Sequence, residues 1–162
     1  GPGFAAMAAM PKLQELGVSC KQVDDAALST LPGFPALRKL VSIDIPDSGF
    51  RHVGRCERLE ELSCMYCRDT TDAATEHLTG LSRLRTYYAG MTGITDRSLE
   101  LLAKLPTLES LHFWQVAGIT DSGVARLAQL PRLEKLVIEG SARVSHAVGA
   151  NFSKTVTVEI SG

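Results

Sequence analysis

The 162-residue chain predicts an α/β solenoid, a right-handed coil with parallel strands on its concave face and short helices on its convex face. Three observations predict it. A phrase of the form Leu-x-x-Leu-x-apolar opens at Leu13, Leu37, Leu59, Leu84, Leu108 and Leu133, and in degraded form at Thr155, in steps of 22 to 25 residues. When the phrases are stacked, each column keeps one chemistry, and between them a helix-starting dipeptide recurs. Such a period belongs to stacked repeats, each covering its neighbour, and not to a closed globule.

The strands come first. The columns opening with Leu13, Leu16 and Val18 stay apolar in most repeats, the third running Val18, Ser42, Cys64, Ala89, Phe113, Ile138 and Ile160. Side chains alternate across a strand, so the second and third columns point to the core together and the residues between them point out. About two dozen residues per repeat leave room for a return path, which makes consecutive strands parallel.

The return path reads as helical in most repeats. Val23-Asp24-Asp25, Thr70-Thr71-Asp72, Ile94-Thr95-Asp96, Ile119-Thr120-Asp121 and Val144-Ser145-His146 stand at equivalent places. Each middle residue carries an oxygen that can cap a helix, and the Asp that follows in four of the five suits the positive helix end. Apolar pairs such as Leu28 and Leu31, Leu99 and Leu102, or Val124 and Leu127 follow at spacings that face the strand layer. Pro11, Pro35, Pro106 and Pro131 each precede a strand's first Leu by two residues, where a helix cannot continue. The second repeat is short, and Pro46-Asp47-Ser48-Gly49 stands where cap and first turn belong. A loop or one 3₁₀ turn is expected there, with Phe50, Val53 and Cys56 still facing the core over a thinner convex layer.

The stretch from Ile119 to Ile138, Ile-Thr-Asp-Ser-Gly-Val-Ala-Arg-Leu-Ala-Gln-Leu-Pro-Arg-Leu-Glu-Lys-Leu-Val-Ile, resembles a leucine-rich repeat. More narrowly it resembles the cysteine-containing subclass, the F-box and ribonuclease-inhibitor-like group. The resemblance covers nearly the whole chain and implies a solenoid that binds protein partners; proteins of the subclass include the substrate-recognition arms of F-box ubiquitin-ligase subunits. At that family's Cys or Asn ladder position the chain has Lys21, Ile45, Cys67, Thr92, Val116 and Ser141. Only Cys67 keeps the pattern, so an irregular ladder of loop hydrogen bonds is expected.

Net charge is −1 and 44% of residues are apolar, with no run long enough to cross a bilayer. A single domain over 1–162 is expected, of about six repeats, a partial repeat helix at the start and a terminal strand at Thr155–Ile160. Gly1-Pro2-Gly3 looks like a processing scar, and Phe4, Met7 and Met10 align with Leu99, Leu102 and Leu105 as the tail of a preceding helix. The chain thus reads as excised from a longer protein. The free edge of the last strand is a candidate for weak self-association.

Function is expected on the outward columns of the strand face. One stripe reads Gln14, Arg38, Glu60, Arg85, Glu109 and Glu134, and the next carries Glu15, Lys39, Glu61 and Lys135. Strands lie about 4.8 Å apart, so Arg38 can pair with Glu60, and Arg85 with Glu60 or Glu109; the stripe largely satisfies itself. Farther along the strands the columns turn apolar and aromatic, with Val41, Tyr88 and His112 in one, Ile43, Met65 and Trp114 in another, and Tyr66 and Met91 beside them. These eight residues are the expected partner-binding surface, since interfaces enrich Trp, Tyr and Met.

Catalysis finds little support. The four histidines, 52, 77, 112 and 146, are dispersed, and no nucleophile is evident near His112. Cys64-x-x-Cys67 has metal or redox spacing, but one cysteine falls in a core column and the other on the ladder, so no metal and no cofactor are expected. Seventeen Lys and Arg against 18 acids, without a cluster, speak against nucleic acid. Buried thiols suit a reducing, cytoplasmic compartment. The expected role is a non-catalytic protein-interaction module, with a ligase recognition arm or a self-assembling scaffold as alternatives.

Overall fold

The computed structural model describes residues 2–19 and 23–162. Strands Glu15–Ser19 (β1), Lys39–Ile43 (β2), Glu61–Met65 (β3), Thr86–Gly90 (β4), Ser110–Trp114 (β5), Lys135–Glu139 (β6) and Thr157–Ser161 (β7) form one sheet in chain order. Every neighbouring pair is parallel and in the register that the stacked phrases require, as in Leu62 against Tyr87 and Cys64 against Ala89. The last strand begins two residues later than its alternating pattern does.

Inward columns fuse into one core. Leu40, Leu62, Tyr87, Leu111 and Leu136 are buried, as are Leu37, Leu59, Leu84, Leu108 and Leu133, while Leu13, Leu16 and Val158 are half-buried. Size varies along the third column because volume is shared between layers: Ser42, Cys64 and Ala89 are small where Phe50 and Tyr87 are large. The Tyr87 ring meets Phe113 at a centroid distance of 6.3 Å. Buried Ser42 satisfies its hydroxyl by donating to the Ser63 carbonyl at 3.1 Å.

Helices Pro2–Met7 (α1), Asp25–Leu28 (α2), Asp47–Val53 (α3), Asp72–Leu78 (α4), Asp96–Leu102 (α5) and Asp121–Arg126 (α6) form the return layer. Leu31–Gly33, Leu127–Gln129 and His146–Asn151 are 3₁₀. Leu28, Leu31, Leu99, Leu102, Val124 and Leu127 are buried against the sheet. In α1, Phe4 is buried and contacts Phe34 edge-on at 5.8 Å, but Met10 is 51% exposed and does not take the core place its alignment suggested. Met10 opens a turn there, its carbonyl accepting the Leu13 amide at 3.4 Å.

The Pro46-Asp47-Ser48-Gly49 segment corrects the expectation of a loop and a thinner layer. It starts a seven-residue α-helix, as long as α4 and α5. Pro46 sits at the N-cap with φ −72° and ψ 162°, a conformation its ring already favours, and its missing amide lies outside the helical bonding. Phe50 and Val53, both fully buried, supply the tertiary packing that offsets a glycine in the first turn.

All five recurring cap residues occupy N-cap positions, but their side chains divide. Asp24, Thr71 and Thr95 accept from the backbone amides of Ala27, Ala73 and Arg97, whereas Thr120 and Ser145 make no such bond. The hydroxyls serve a second purpose. Asp47 Oδ1 accepts the Thr71 amide at 2.7 Å and its Oδ2 the Thr71 hydroxyl at 2.6 Å. Asp72 binds Thr95 in the same way at 2.8 and 2.7 Å, Asp96 binds Thr120 at 2.8 and 2.6 Å, and Asp121 binds Ser145 at 2.7 and 2.7 Å. Each helix-opening carboxylate therefore clamps the cap of the next repeat, in addition to complementing its own helix end. The series does not reach Asp25, because Pro46 offers neither amide nor hydroxyl; Asp25 instead binds Arg51 at 2.6 Å and His52 at 3.2 Å.

Asp72 makes the most of these bonds. Its Oδ1 also accepts the Ser98 amide at 3.1 Å and the Ser98 hydroxyl at 2.6 Å, and Ser98 pairs with buried Thr75 at 2.7 Å. Partial burial opposes the charge, but the hydroxyls of Ser98 and Thr95 and their amides outweigh it and hold the carboxyl below its ordinary pKa. The Asp121 carboxyl is likewise lowered, by the Ser145 amide and then its hydroxyl. A lowered folded pKa stabilises fully above the unfolded value, 3.8 for Asp72, and is lost as pH falls through the folded value. Thermal unfolding followed by circular dichroism is expected to be level from neutrality to about pH 5 and to weaken below about pH 4. Asp72→Ala is expected to destabilise at pH 7 by about 1–2 kcal/mol, since the carboxylate stays largely solvated, and to make the fall at acid pH shallower.

Candidate functional site

Parallel register determines which outward side chains meet. Gly17, Val41, Ser63, Tyr88, His112, Val137 and Glu159 form one cross-strand row, and Ser19, Ile43, Met65, Gly90, Trp114, Glu139 and Ser161 the next. Immediately after the strands, Asp44, Tyr66, Met91 and Gln115 have φ of 50° to 56°, and Gly140 has φ 63°. Left-handed backbone disfavours a bulky side chain by about 1–2 kcal/mol. Only Gly140 adopts it without that cost. The turn swings Tyr66 back over the strand face.

All eight residues expected to form the docking surface lie on this face. Ile43 is 38% and Tyr66 48% exposed, and Val41, Met65, Tyr88, Met91, His112 and Trp114 are half-buried. Tyr66 and Trp114 meet edge to face, with centroids 5.8 Å apart and planes at 82°. Tyr88 and His112 do the same at 4.6 Å and 87°. The other four border this cluster, Met65 as the register partner of Gly90 and Met91 as the residue after it. Val41 and Ile43 are on β2, beside Ser63 and Met65, and Met91 lines a shallow hollow with Arg68, Gly93, Gln115 and Ala117.

Two residues essential to this arrangement stand in the same columns but were not singled out from the sequence. Gly90 is the floor: a Cβ there would come within 3.0 Å of Tyr88 Cε1 and Oη and 3.1 Å of Trp114 Cε3. Both rings therefore lean over the strand where a side chain is missing. Glu139 is the second. Its Oε2 lies 2.6 Å from His112 Nε2, so one carboxylate fixes the imidazole that Tyr88 packs against. Burial raises the Tyr88 pKa, and the nearby Glu139 charge adds to the effect. A glycine closing β4, two residues after Tyr88 and in register with Trp114, was the available signal for the floor; nothing in the sequence marked Glu139 apart from other acids.

The neighbouring stripe satisfies itself through ion pairs. Arg38 binds Glu60 at 2.8 Å, and Arg85 chooses Glu109 at 2.8 Å. The Arg85 hydrogen bond and charge depress the Glu109 pKa, and Glu109 raises that of Arg85. Lys39 bridges Glu15 and Glu61 at 3.0 and 4.0 Å, and Lys135 meets Glu159 at 3.2 Å.

The loop ladder is irregular. Cys67 Sγ donates to the carbonyls of Met65 at 3.3 Å and Ser42 at 3.6 Å, and Ser141 Oγ accepts the Val116 amide at 3.2 Å. Thr92 Oγ1 is buried without a partner. Cys20 and Lys21 lie outside the described residues. Cys56, Cys64 and Cys67 are buried and free. Burial pushes the Cys56 thiol up to about 12 and raises Cys64 further, which suppresses the thiolate that metal binding or redox exchange requires. Among the described residues no group of three or more His, Cys, Asp or Glu is placed to hold a metal, and no helix is long and apolar enough to cross a membrane.

No protein-family model matches the chain, and no curated protein matches it. Solved structures do. Internalin C2 from Listeria monocytogenes superposes with a TM-score of 0.61 at 21% identity, over 96% of this chain and 65% of that one. A chain of the yeast Rad7 and Elc1 complex matches with a TM-score of 0.57 at 17% identity, over 96% of this chain and 54% of that one. The TLR13–ssRNA13 complex contains a third, at 0.50 and 14%, over 96% and 31%. The chain thus spans less than two thirds of each of these neighbours. At such identities the likeness shows the fold, which is that of the leucine-rich-repeat solenoids.

Gly90→Ala tests the floor. The added methyl is expected to displace both rings, changing the emission of Trp114, the chain's one tryptophan. Because the rings can swing toward solvent, the unfolding free energy should fall by no more than about 1.5 kcal/mol.

Proposed function

We propose that this solenoid is a non-catalytic protein-interaction module that docks a protein partner on its concave strand face. The observation that carries this proposal is the cluster of Tyr66, Tyr88, His112 and Trp114, seated outside the core on and beside three consecutive strands. Rings on an outward column contribute little to the core, and contiguous apolar surface of this kind marks contact sites. Tyr66 supports it further. Its column is left-handed from Asp44 to Gly140, and at Tyr66 the side chain carried on that backbone is a ring packed on Trp114. Val41, Ile43 and Met65 extend the surface toward β2, and Met91 lies within it. The free, buried thiols fit a reducing, cytoplasmic setting.

Membership of the cysteine-containing subclass is the finer part of the proposal, and Cys67 supports it by directing its thiol to the strand carbonyls of Ser42 and Met65 in two successive repeats. Within that subclass, the recognition arm of an F-box type ligase subunit is the second reading. The full-length sequence decides it, since such a subunit carries a helical adaptor-binding segment.

Replacing Trp114 and Tyr88 together by Ala tests the docking face. Partner capture in a pull-down is expected to fall at least 30-fold, from loss of anchors worth about 2 kcal/mol or more, while the circular dichroism spectrum stays unchanged. Undiminished capture would exclude this face.

A further inference from the structure

The docking face has a charge bias that identifies the kind of partner it fits. In the described part of its three outward columns, Asp44, Glu139 and Glu159 are charged acids and no Lys or Arg is present. In the bordering stripes Arg38, Lys39 and Arg85 are bound to carboxylates of those stripes, and Lys135 takes up Glu159, which leaves Asp44 and Glu139 as the acids of the outward columns. The described part of the outward columns therefore offers rings and acids and holds no Lys or Arg, Arg68 standing beside it at the Met91 hollow.

Within that surface one place combines the two. Glu139 is the register partner of Trp114 on the adjacent strand, and its side chain is 45% exposed. His112, two residues before Trp114 on the same strand, binds Oε2 at 2.6 Å and so fixes the carboxylate on the neighbouring row. Tyr66 closes the other side as a wall perpendicular to the indole plane. A cation resting in this corner would meet an indole face, a phenol ring and a carboxylate. Electron-rich ring faces attract ammonium and guanidinium groups, and a neighbouring carboxylate adds to the attraction.

We infer that the partner presents an extended basic segment, with one lysine or arginine seated in the corner formed by Trp114, Tyr66 and Glu139. The inference rests on the docking face proposed above. Patch geometry fits a segment better than a single ion: from β2 to β6 it spans four strand spacings, about 19 Å, which about six extended residues cover. His112 acts as a positioning residue for Glu139. An anionic partner such as nucleic acid would meet only like charge in these columns.

Trp114 reports directly, being the only tryptophan. The probes are a nine-residue peptide of three Gly-Ser-Lys units, the same peptide with Glu for Lys, and a nine-nucleotide oligothymidylate, each titrated to millimolar concentration at low salt. The lysine peptide is expected to change Trp114 emission saturably, the other two not to, and 0.5 M salt to weaken the response. Glu139→Gln is expected to lower the affinity five- to twenty-fold with the unfolding temperature unchanged, and His112→Gln to lower it less. An equal response to the glutamate peptide, a stronger one to oligothymidylate, no response to the lysine peptide, or undiminished affinity in a folded Glu139→Gln variant would each overturn the inference. If the lysine peptide fails while the Trp114→Ala, Tyr88→Ala protein has lost its natural partner, the docking face stands and the basic segment falls.

Discussion

Parallel strands repeated at a nearly constant step oblige every residue to lie beside its counterpart from the next repeat, and the rest of the molecule depends on that constraint. Because the register never slips, one apolar position per repeat becomes a continuous column, and the columns together become a core without a centre. Any polar feature that recurs is likewise brought into a line. This is why the carboxylate opening each helix can clamp the next cap: Asp47 reaches Thr71 and Asp72 reaches Thr95 through the same pair of bonds. One recurring dipeptide thus ties four successive repeat junctions on the side opposite the sheet, and β-ladder hydrogen bonds tie them on the other.

The same stacking explains where the solenoid tolerates irregularity. A repeat that lacks one partner loses a local bond but not its place, since strand pairing and core burial hold it on both sides. Pro46 removes the donors that Asp25 would have clamped, and Arg51 and His52 take them over. Thr92 and Val116 break the loop ladder without opening the core, because both remain buried. Such redundancy makes the convex side a weak guide to function and leaves the strand face as the surface where departures need a reason.

On that face three departures coincide. A glycine replaces a side chain at the end of β4, a tyrosine stands in the left-handed column after β3, and an acid turns to a histidine in the preceding repeat. Together they let two pairs of rings settle against the sheet in fixed perpendicular geometry and not splay into solvent. Rings ordered before binding lose less conformational freedom when a partner arrives. The paired charges of the adjoining stripe frame this surface without competing for it.

Period and alternation in the sequence alone determined the solenoid, the inward columns, the strand register and the face on which the eight candidate residues lie, because each follows from side-chain parity and a fixed step. Charge pairing across strands was legible for the same reason, Arg38 with Glu60 and Arg85 with Glu109 being neighbours in register. Only tertiary structure decided the rest. Helix α3 forms where Pro46 and Gly49 suggested a loop, since burial of Phe50 and Val53 outweighs local propensity. Gly90 and Glu139 acquire their importance from rings that reach across strands, and the Asp side chains find partners some two dozen residues away. Torsions about χ angles and contacts between repeats set these features, and neither leaves a periodic mark along the chain.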